Sequence, residues 1–211
     1  ASGEQRLLAR NVAGRIAQFK MAPDRQQIAR LSYRINADAP ATLIVYGLDG
    51  TVKNEWDRLP PTETNLTLDW LDRATVIVSS IPAPVPSETA DAFNARAQET
   101  GRLLAFDVNT GVQRALLDGW INGTFVSPDG TLIAIARHMS TGESVVEVRP
   151  ITSGGLGAPV TTSRSLSPIL VTLLGWSADN RLIIREQTST GTAIDSLSLD
   201  GAFTQLTQLA S

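Results

Sequence analysis

The sequence predicts an all-β fold built from four repeated units with a period of ~50 residues. A short turn motif centred on an aspartate occurs four times, and an apolar, strand-like run begins about four residues after each aspartate. Such a repeat determines the architecture before local propensity does, because each unit must bury its apolar residues against its neighbours. The four motifs are Ala22–Arg25, Trp70–Arg73, Ser127–Gly130 and Ser177–Asn180, and the runs are Ile28–Ala29, Val76–Val78, Ile133–Ile135 and Ile183–Ile184.

A second turn closes a hairpin in each unit. Asp49-Gly50, Asn109-Thr110-Gly111 and Asp200-Gly201 each follow a good strand, and Gly154-Gly155 comes shortly after the strand Ser144–Val148. Glycine and asparagine tolerate the positive φ that tight hairpins require. Each unit therefore supplies two central strands with flanking ones, the pattern of a four-stranded propeller blade. We place the units at about residues 11–58, 59–117, 118–164 and 165–211 of a single domain spanning residues 1–211.

The third repeat allows a family resemblance to be named. Ser127-Pro128-Asp129-Gly130-Thr131-Leu132-Ile133-Ala134 resembles the WD40-like (PD40) repeats of TolB-type β-propellers. Those repeats often carry a tryptophan before the turn; Trp176-Ser177-Ala178-Asp179 matches this, Trp70-Leu71-Asp72 matches it with one residue missing, and Met21-Ala22-Pro23-Asp24 lacks it. The resemblance implies a propeller or partial propeller in an extracytoplasmic, bacterial setting. It constrains shape more than chemistry, because unrelated proteins use such propellers.

The number of repeats is lower than is usual in that family. Residues 1–10 contain Glu4–Ala9, which resembles the outer strand of a further blade or a strand that closes the ring. We favour the interpretation that the chain is part of a larger propeller or multidomain protein. An open stack would leave blade faces for a partner chain or for homo-oligomerisation.

One segment, residues 82–101, interrupts the second repeat. Its prolines at 82, 84 and 86 favour an extended path, and Ser87 is positioned to cap an Ala-rich helix that ends near Gly101. We therefore predict a short helical insertion between the two middle strands of blade two. Phe93 is the large apolar residue of its helical part and a candidate partner contact. The alternative is a solvated decoration without function.

Composition excludes several classes of function. The net charge is −3 with no strong block of either sign, so the basic footprint of a nucleic-acid-binding protein is missing. The absence of cysteine excludes disulfides and thiolate metal sites. No segment of the sequence has the apolar length of a membrane span. We expect a domain that does not bind nucleic acid and does not itself span a membrane.

The sequence also lacks recognisable catalytic patterns. His138 is the single histidine, so two-histidine metal motifs are impossible, and no Gly-x-Ser-x-Gly elbow or phosphate-binding glycine loop is present. The repeated aspartates are better explained as acceptors for backbone N–H groups of their own turns. We therefore expect no catalytic residue, no metal site and no cofactor.

A possible ligand site comes from the loops after the second strand of each blade. In a propeller such loops converge near the central channel, and here they carry Arg34, Arg137 with His138, and Arg185. Three guanidinium groups around one mouth would suit the carboxylate or phosphate groups of a ligand or partner tail. The alternative is that these arginines are separate and solvated, paired with neighbours such as Asp38, Glu143 and Glu186.

The four tryptophans divide into two pairs. Trp70 and Trp176 occupy the apolar position of the repeat, so we expect them in the core between blades. Trp56 and Trp120 are predicted to lie in connecting segments, and Trp120 is a candidate anchor for a partner. A packing role beneath a loop is the alternative for both.

The prediction for function is a non-catalytic binding or scaffold module of the cell envelope, which meets a protein or peptide partner through loops on one propeller face. Two alternatives stay open. One is an extracytoplasmic sensor domain of a larger signalling protein. The other is the propeller segment of a larger peptidase-like enzyme, which would filter substrates for a hydrolase domain.

Overall fold

Four antiparallel sheets follow one another along the chain. The structure is a computed structural model and describes residues 16–33, 40–59, 67–82, 85–166, 170–189 and 191–210. Residues 1–10 and Arg34, which the sequence analysis singled out, lie outside this part of the chain. In each sheet neighbouring strands of the sequence pair with each other, so each sheet is an up-and-down meander.

The strands of blades 1 and 2 lie on either side of the two turns predicted for each repeat. Blade 1 consists of β1 (Ile16–Met21), β2 (Gln27–Tyr33), β3 (Ala41–Gly47) and β4 (Val52–Leu59). Blade 2 consists of β5 (Leu68–Trp70), β6 (Thr75–Ser80), β7 (Arg102–Asp107) and β8 (Gln113–Asp118), and the helix α1 (Ala90–Thr100) lies between β6 and β7.

Blades 3 and 4 repeat the arrangement with one irregularity. Blade 3 consists of β9 (Ile121–Val126), β10 (Leu132–His138), β11 (Ser144–Thr152) and two short outer strands, β12 (Gly155–Leu156) and β13 (Thr161–Thr162), both paired with β11. Blade 4 consists of β14 (Leu170–Trp176), β15 (Leu182–Thr188), β16 (Gly191–Leu197) and β17 (Phe203–Ala210). The predicted all-β fold of about four four-stranded blades with a helical insertion in blade two is confirmed.

The Asp-centred turns form as the sequence predicts. The Asp129 carboxylate accepts hydrogen bonds from the Thr131 N–H at 3.0 Å and from the Ser127 hydroxyl at 2.6 Å. Asp24 and Asp72 accept from the backbone N–H two residues ahead, and Asp179 accepts from the Ser177 hydroxyl. Hydrogen bonds to the carboxylate lower the pKa of Asp129 and of Asp179, and the bond from the serine hydroxyl has the largest effect in both.

The core lies between the blades. Strand residues alternate between the two faces of a sheet, so each blade presents apolar side chains to both neighbours. Ala29 and Leu31 of blade 1 pack with Val76 of blade 2 in one buried cluster. Ile77 of blade 2 packs with Ile133 and Ile135 of blade 3 in a second. The third joins blades 3 and 4 through Ala134, Ala136, Leu182, Ile184 and Leu197.

Two repeat tryptophans link successive blades at equivalent positions. The Trp70 indole N–H donates to the Lys20 carbonyl at 2.9 Å, and the Trp176 indole N–H donates to the Phe125 carbonyl at 3.1 Å. The prediction that both lie between blades is confirmed. The prediction that Trp56 lies in a connecting segment is wrong, because Trp56 is part of β4 and packs edge-on against Phe106 with ring centroids 5.2 Å apart.

The meanders divide the loops between two faces of the stack. The Asp-centred turns and the hairpin turns between third and fourth strands lie at one end of each sheet, which we name the turn face. The connections between second and third strands, including α1, and the links between blades lie at the other end, which we name the connection face. None of the described helices is long and apolar enough to cross a membrane.

Candidate functional site

The helix α1 is anchored at both ends on the connection face. Its N-cap is Thr89, whose hydroxyl accepts from the Ala92 N–H at 3.2 Å. The prediction that Ser87 caps the helix is wrong, because Ser87 has a φ of 70° in the turn before the helix and cannot take the extended backbone of an N-cap. The helix ends at Gly101, whose N–H donates to the Ala97 carbonyl.

A salt bridge holds the segment that leads into the helix. The Arg96 guanidinium lies 2.5 Å from the Glu88 carboxylate. The hydrogen bond from Arg96, with a second from the Val85 N–H, lowers the pKa of Glu88 to about 2. Arg96 also stands over the ring of Phe93, 5.7 Å from its centroid. The first turns of α1 are therefore tied to the loop that precedes them, which fixes the direction of Phe93.

Two glycines allow the helix end to meet the link between blades 2 and 3. A Cβ on Gly101 would lie 2.6 Å from the Gly119 carbonyl oxygen, so this backbone approach requires glycine. The Gly119 N–H donates to the Gly101 carbonyl at 2.9 Å. Gly119 has a φ of 110° and directly precedes Trp120, so its hydrogen bond to Gly101 places Trp120 beside the helix.

Three predicted site residues meet in one group, which we name the aromatic cluster: Phe93, Trp120 and His138. The Phe93 and Trp120 rings meet edge-to-face with centroids 5.4 Å apart, and the Trp120 and His138 rings lie 4.3 Å apart. They come from α1, the link between blades 2 and 3, and the end of β10. Phe93 and Trp120 are half-buried, whereas His138 is buried. The cluster is thus a partly exposed apolar surface at a junction of two blades.

Backbone contacts fix His138 within the aromatic cluster. The backbone N–H of His138 donates to the Trp120 backbone carbonyl at 3.0 Å. The backbone carbonyl of His138 accepts from the side-chain amide of Gln98 in α1. Burial lowers the pKa of His138, because the charged imidazolium loses hydration there. At neutral pH His138 is therefore a neutral ring, suited to packing and hydrogen bonding.

Arg137 is engaged within the fold beside this cluster. Its guanidinium lies 2.8 Å from the buried Glu147 carboxylate and donates to the Asp118 carbonyl at 3.2 Å. The Arg149 guanidinium also lies 2.7 Å from the Glu147 carboxylate. One carboxylate thus neutralises parts of two guanidinium groups between blades 2 and 3. Arg137 orients the link that carries Trp120, and its side chain is only 21% exposed.

The structure does not bring Arg185 to the same site. Arg137 follows Ile133 and Ile135 by strand alternation and therefore faces blade 2. Arg185 follows Ile184, which faces blade 3, and so projects from the opposite face of its sheet, where it donates to the Thr172 hydroxyl at 3.2 Å. Arg34 lies outside the described residues. Of the six predicted site residues, four therefore lie in one region of the described chain: Phe93, Trp120, Arg137 and His138.

Sequence reasoning missed a row of residues on the innermost strands. The Lys20 ammonium lies 3.2 Å from the Asp69 carboxylate and 5.1 Å from the centroid of the Phe125 ring. Burial raises the pKa of Asp69, and the charge of Lys20 opposes that effect. The row joins blades 1, 2 and 3. All three residues lie three or four positions before the aspartate of a repeated turn, and this shared position in the repeat could have predicted that they lie close together.

A second missed group lies between blades 3 and 4. Arg164 lies 2.8 Å from Glu186 and 4.5 Å from the centroid of the Phe203 ring. Asp195 is buried beside them, and burial raises its pKa. In the part of the chain that the structure describes, no group of three or more His, Asp or Glu side chains could hold a metal ion. The Arg164–Glu186 pair joins the segment after blade 3 to blade 4, whereas the ion pairs of Glu147 join residues of blade 3 at its face toward blade 2.

The turn face carries one open groove between blades 1 and 2. Its volume is about 650 Å³, and its walls include Gln26, Gln27, Leu48, Lys53 and Asn109. The Asp49 carboxylate also lines the groove, so the walls combine amides with one cation and one anion and contain no aromatic residue. The groove offers hydrogen bonds to a polar ligand but fewer apolar contacts than the aromatic cluster on the connection face.

Comparison with solved structures identifies the architecture. One of two prolyl endopeptidases studied for inter-domain dynamics matches 97% of this chain with a TM-score of 0.61 and 13% identity. The β-propeller domain of the Trilobed protease from Pyrococcus furiosus matches 88% with a TM-score of 0.56 and 10% identity. A gluconolactonase from Xanthomonas campestris matches 92% with a TM-score of 0.56 and 12% identity. The chain has a β-propeller fold.

The comparisons are limited to fold. No family model matches the sequence, and no curated protein matches it. The chain spans 31% of the prolyl endopeptidase, 55% of the Pyrococcus furiosus propeller domain and 61% of the gluconolactonase. These identities are too low to carry activity across, so function has to be argued from the residues of this chain.

Proposed function

We propose that this chain is a non-catalytic binding module that takes a protein or peptide partner on its connection face. The observation that carries the proposal is the aromatic cluster of Phe93, Trp120 and His138, with rings 5.4 Å and 4.3 Å apart. Half-exposed aromatic side chains on a rigid support are typical anchors of protein interfaces, since they bury large area at little entropic cost.

The support of the cluster favours binding over catalysis. His138 is buried, its ring is packed against Trp120, and burial lowers its pKa, so its imidazole is poorly placed to exchange protons with a bound substrate. Arg137 is already paired with Glu147. The apolar rings are therefore the groups available to a partner, and a peptide with a large apolar side chain suits them best.

The cellular setting is part of the same proposal. The Ser127–Ala134 repeat resembles the WD40-like repeats of TolB-type propellers, which implies an extracytoplasmic location in a bacterium. The cell envelope would then supply the protein or peptide partner. An edge or a blade face of the stack would meet the remainder of a larger propeller or a second copy of the chain.

The test is a peptide selection on the intact chain, followed by affinity measurements on two matched variants. Peptides selected from a random twelve-residue phage library (length on the order of one extended binding groove) are titrated by calorimetry. Phe93→Ala is expected to weaken binding at least ~10-fold, whereas Phe19→Ala, an aromatic residue 56% exposed on β1, leaves it unchanged. Peptides that bind both variants equally well, or a library without any enrichment, would exclude the aromatic cluster as the binding site.

A second candidate function has its own supporting observation. Prolyl endopeptidases or oligopeptidases and acylaminoacyl peptidases recur among the structural matches, and this chain covers 29–31% of each of them. The chain would then be the propeller segment of a larger peptidase-like enzyme. Sequencing the complete reading frame separates the two candidates, because a peptidase requires a hydrolase segment with a nucleophile elbow.

A further inference from the structure

The outer edge of blade 4 differs from the outer edges of the other three blades. An edge strand exposes unpaired N–H and C=O groups, and natural sheets protect such edges with charges, prolines or short strands. Blade 1 ends in β4, which contains Lys53, Glu55, Asp57 and Arg58. Blade 2 ends in the six-residue β8, with a charged residue near each end, and blade 3 ends in two strands of two residues each.

The edge strand of blade 4 has none of these protections. β17 reads Phe-Thr-Gln-Leu-Thr-Gln-Leu-Ala, eight residues without a charge or a proline, and pairs on one side with β16. Every residue from Thr204 to Gln208 is exposed, and because these alternate between the two sheet faces, both faces are solvated. Leu206 is 55% exposed at its centre. A long, uncharged and exposed edge of this kind is a template for strand pairing.

We propose that β17 pairs with β17 of a second copy of this chain, antiparallel about a two-fold axis. β17 can itself supply the partner strand, because it is extended and uncharged and its Thr, Gln and Leu side chains can pair across the contact with those of a second copy without charge repulsion. A two-fold axis lets each copy present the same edge, which closes the pair as a dimer. The two blades would form one continuous eight-stranded sheet.

The charges beside β17 select the antiparallel orientation. The Arg181 guanidinium donates to the Thr204 hydroxyl at 3.1 Å, and Arg164 stands over Phe203 at 4.5 Å. Both cations therefore lie at the start of the strand. An antiparallel pair separates the two starts by roughly 20 Å along the strands, about twice the screening length at physiological salt. Arg164 is paired with Glu186, so the cations that a parallel pair would bring together are chiefly the two Arg181 side chains.

The experiment is sedimentation equilibrium of the full chain from ~10 µM to ~1 mM, a range chosen because a single strand pair buries little area and associates weakly. We expect the mass to rise from the 22.6 kDa of one chain toward that of two. Leu206→Lys should keep the chain monomeric at every concentration. Val52→Lys, which adds the same charge to the outer strand of blade 1 at a residue also 55% exposed, should leave the dimer intact.

Amide hydrogen exchange of the wild-type chain locates the contact. Exchange in β17 should slow as the concentration rises, while exchange in β4 stays constant. The proposal is overturned by a mass that stays at one chain throughout, by a dimer that survives Leu206→Lys, or by assemblies larger than two chains. The last two results would place the contact on the open blade faces instead. Thermal unfolding of both variants verifies that each lysine leaves the fold intact.

Discussion

The indole of Trp70 provides a direct test of how the blades are joined. Trp70 is 2% exposed, and its N–H donates at 2.9 Å to the Lys20 carbonyl of the preceding blade. Trp70→Phe removes this donor and part of the ring while keeping an aromatic side chain in place. Trp176→Phe is the matched variant, because Trp176 makes the equivalent bond to the Phe125 carbonyl at 3.1 Å but is only partly buried.

The expected magnitude follows from two contributions. A partly buried carbonyl that loses its donor costs about 1–3 kcal/mol, and trimming a buried aromatic ring leaves a small cavity worth a further ~1–2 kcal/mol. Trp70→Phe should therefore lower the free energy of unfolding by about 2–5 kcal/mol. In a chain of this length that corresponds to a decrease in Tm of roughly 4–20 °C. Trp176→Phe should cost less, because the Trp176 ring is only partly buried and its truncation removes less buried surface.

Urea unfolding followed by circular dichroism measures the loss, and hydrogen exchange locates it. In the described part of the chain, blade 2 makes its main contacts with blades 1 and 3, so Trp70→Phe should accelerate exchange in β1, β2 and β6 more than in blade 4. Our reasoning about the interblade bond fails if Trp70→Phe costs less than about 0.5 kcal/mol, within the scatter of surface substitutions. It fails equally if the two tryptophan variants lose the same stability.

Three other predictions concern single side chains. Burial lowers the pKa of His138, so its contribution to stability is fully present above the unfolded-state value of 6.5 and is lost as the pH falls from there through the lower pKa of the folded state. Urea midpoints should therefore decline below pH 6.5 in the wild-type chain more than in His138→Gln. Glu147→Gln should cost about 2–4 kcal/mol in urea unfolding because Arg137 and Arg149 lose a buried partner, and a loss abolished by 1 M salt would contradict this. Thr89→Ala should destabilise α1 by about 1 kcal/mol, seen as faster exchange in the helix with an unchanged Tm; Thr100→Ala at the other helix end is the control.

The strands were predictable because two independent signals agree in each repeat. Turn chemistry marks where a strand begins, as at Asp129-Gly130, and the apolar run after it marks a strand buried on both faces. The helix was predictable from the Ala-rich stretch before Gly101. Its cap was not, because Ser87 and Thr89 are both good caps by type, and only the backbone conformation distinguishes them.

The prediction that Arg137 and Arg185 lie together fails because the turns before their strands differ in length. The turn before β10 is closed by a bond from Ser127 to Leu132, whereas the turn before β15 is closed by a bond from Ser177 to Arg181, one residue shorter. A slip of one residue moves every later side chain to the opposite face of the strand. Arg137 lies eight residues after Asp129 and Arg185 six residues after Asp179, an even difference that predicts the same face, and the shorter turn before β15 reverses this for Arg185. The length of a turn between similar motifs cannot be read from the motif alone.

The distribution of charge explains why the aromatic cluster and the blade 4 edge, and not the arginines, carry the proposals about binding. The ionic groups at Asp69, Glu147 and Glu186 each pair a buried carboxylate with a cation at a boundary between blades. Removing one partner from such a pair would leave a charge without compensation, so these groups fix how one blade sits on the next. A ligand that used them would have to break that contact. Among the described residues, the surfaces best suited to a partner are the partly exposed rings of Phe93 and Trp120 and the uncharged strand β17, where binding adds contacts and disrupts none.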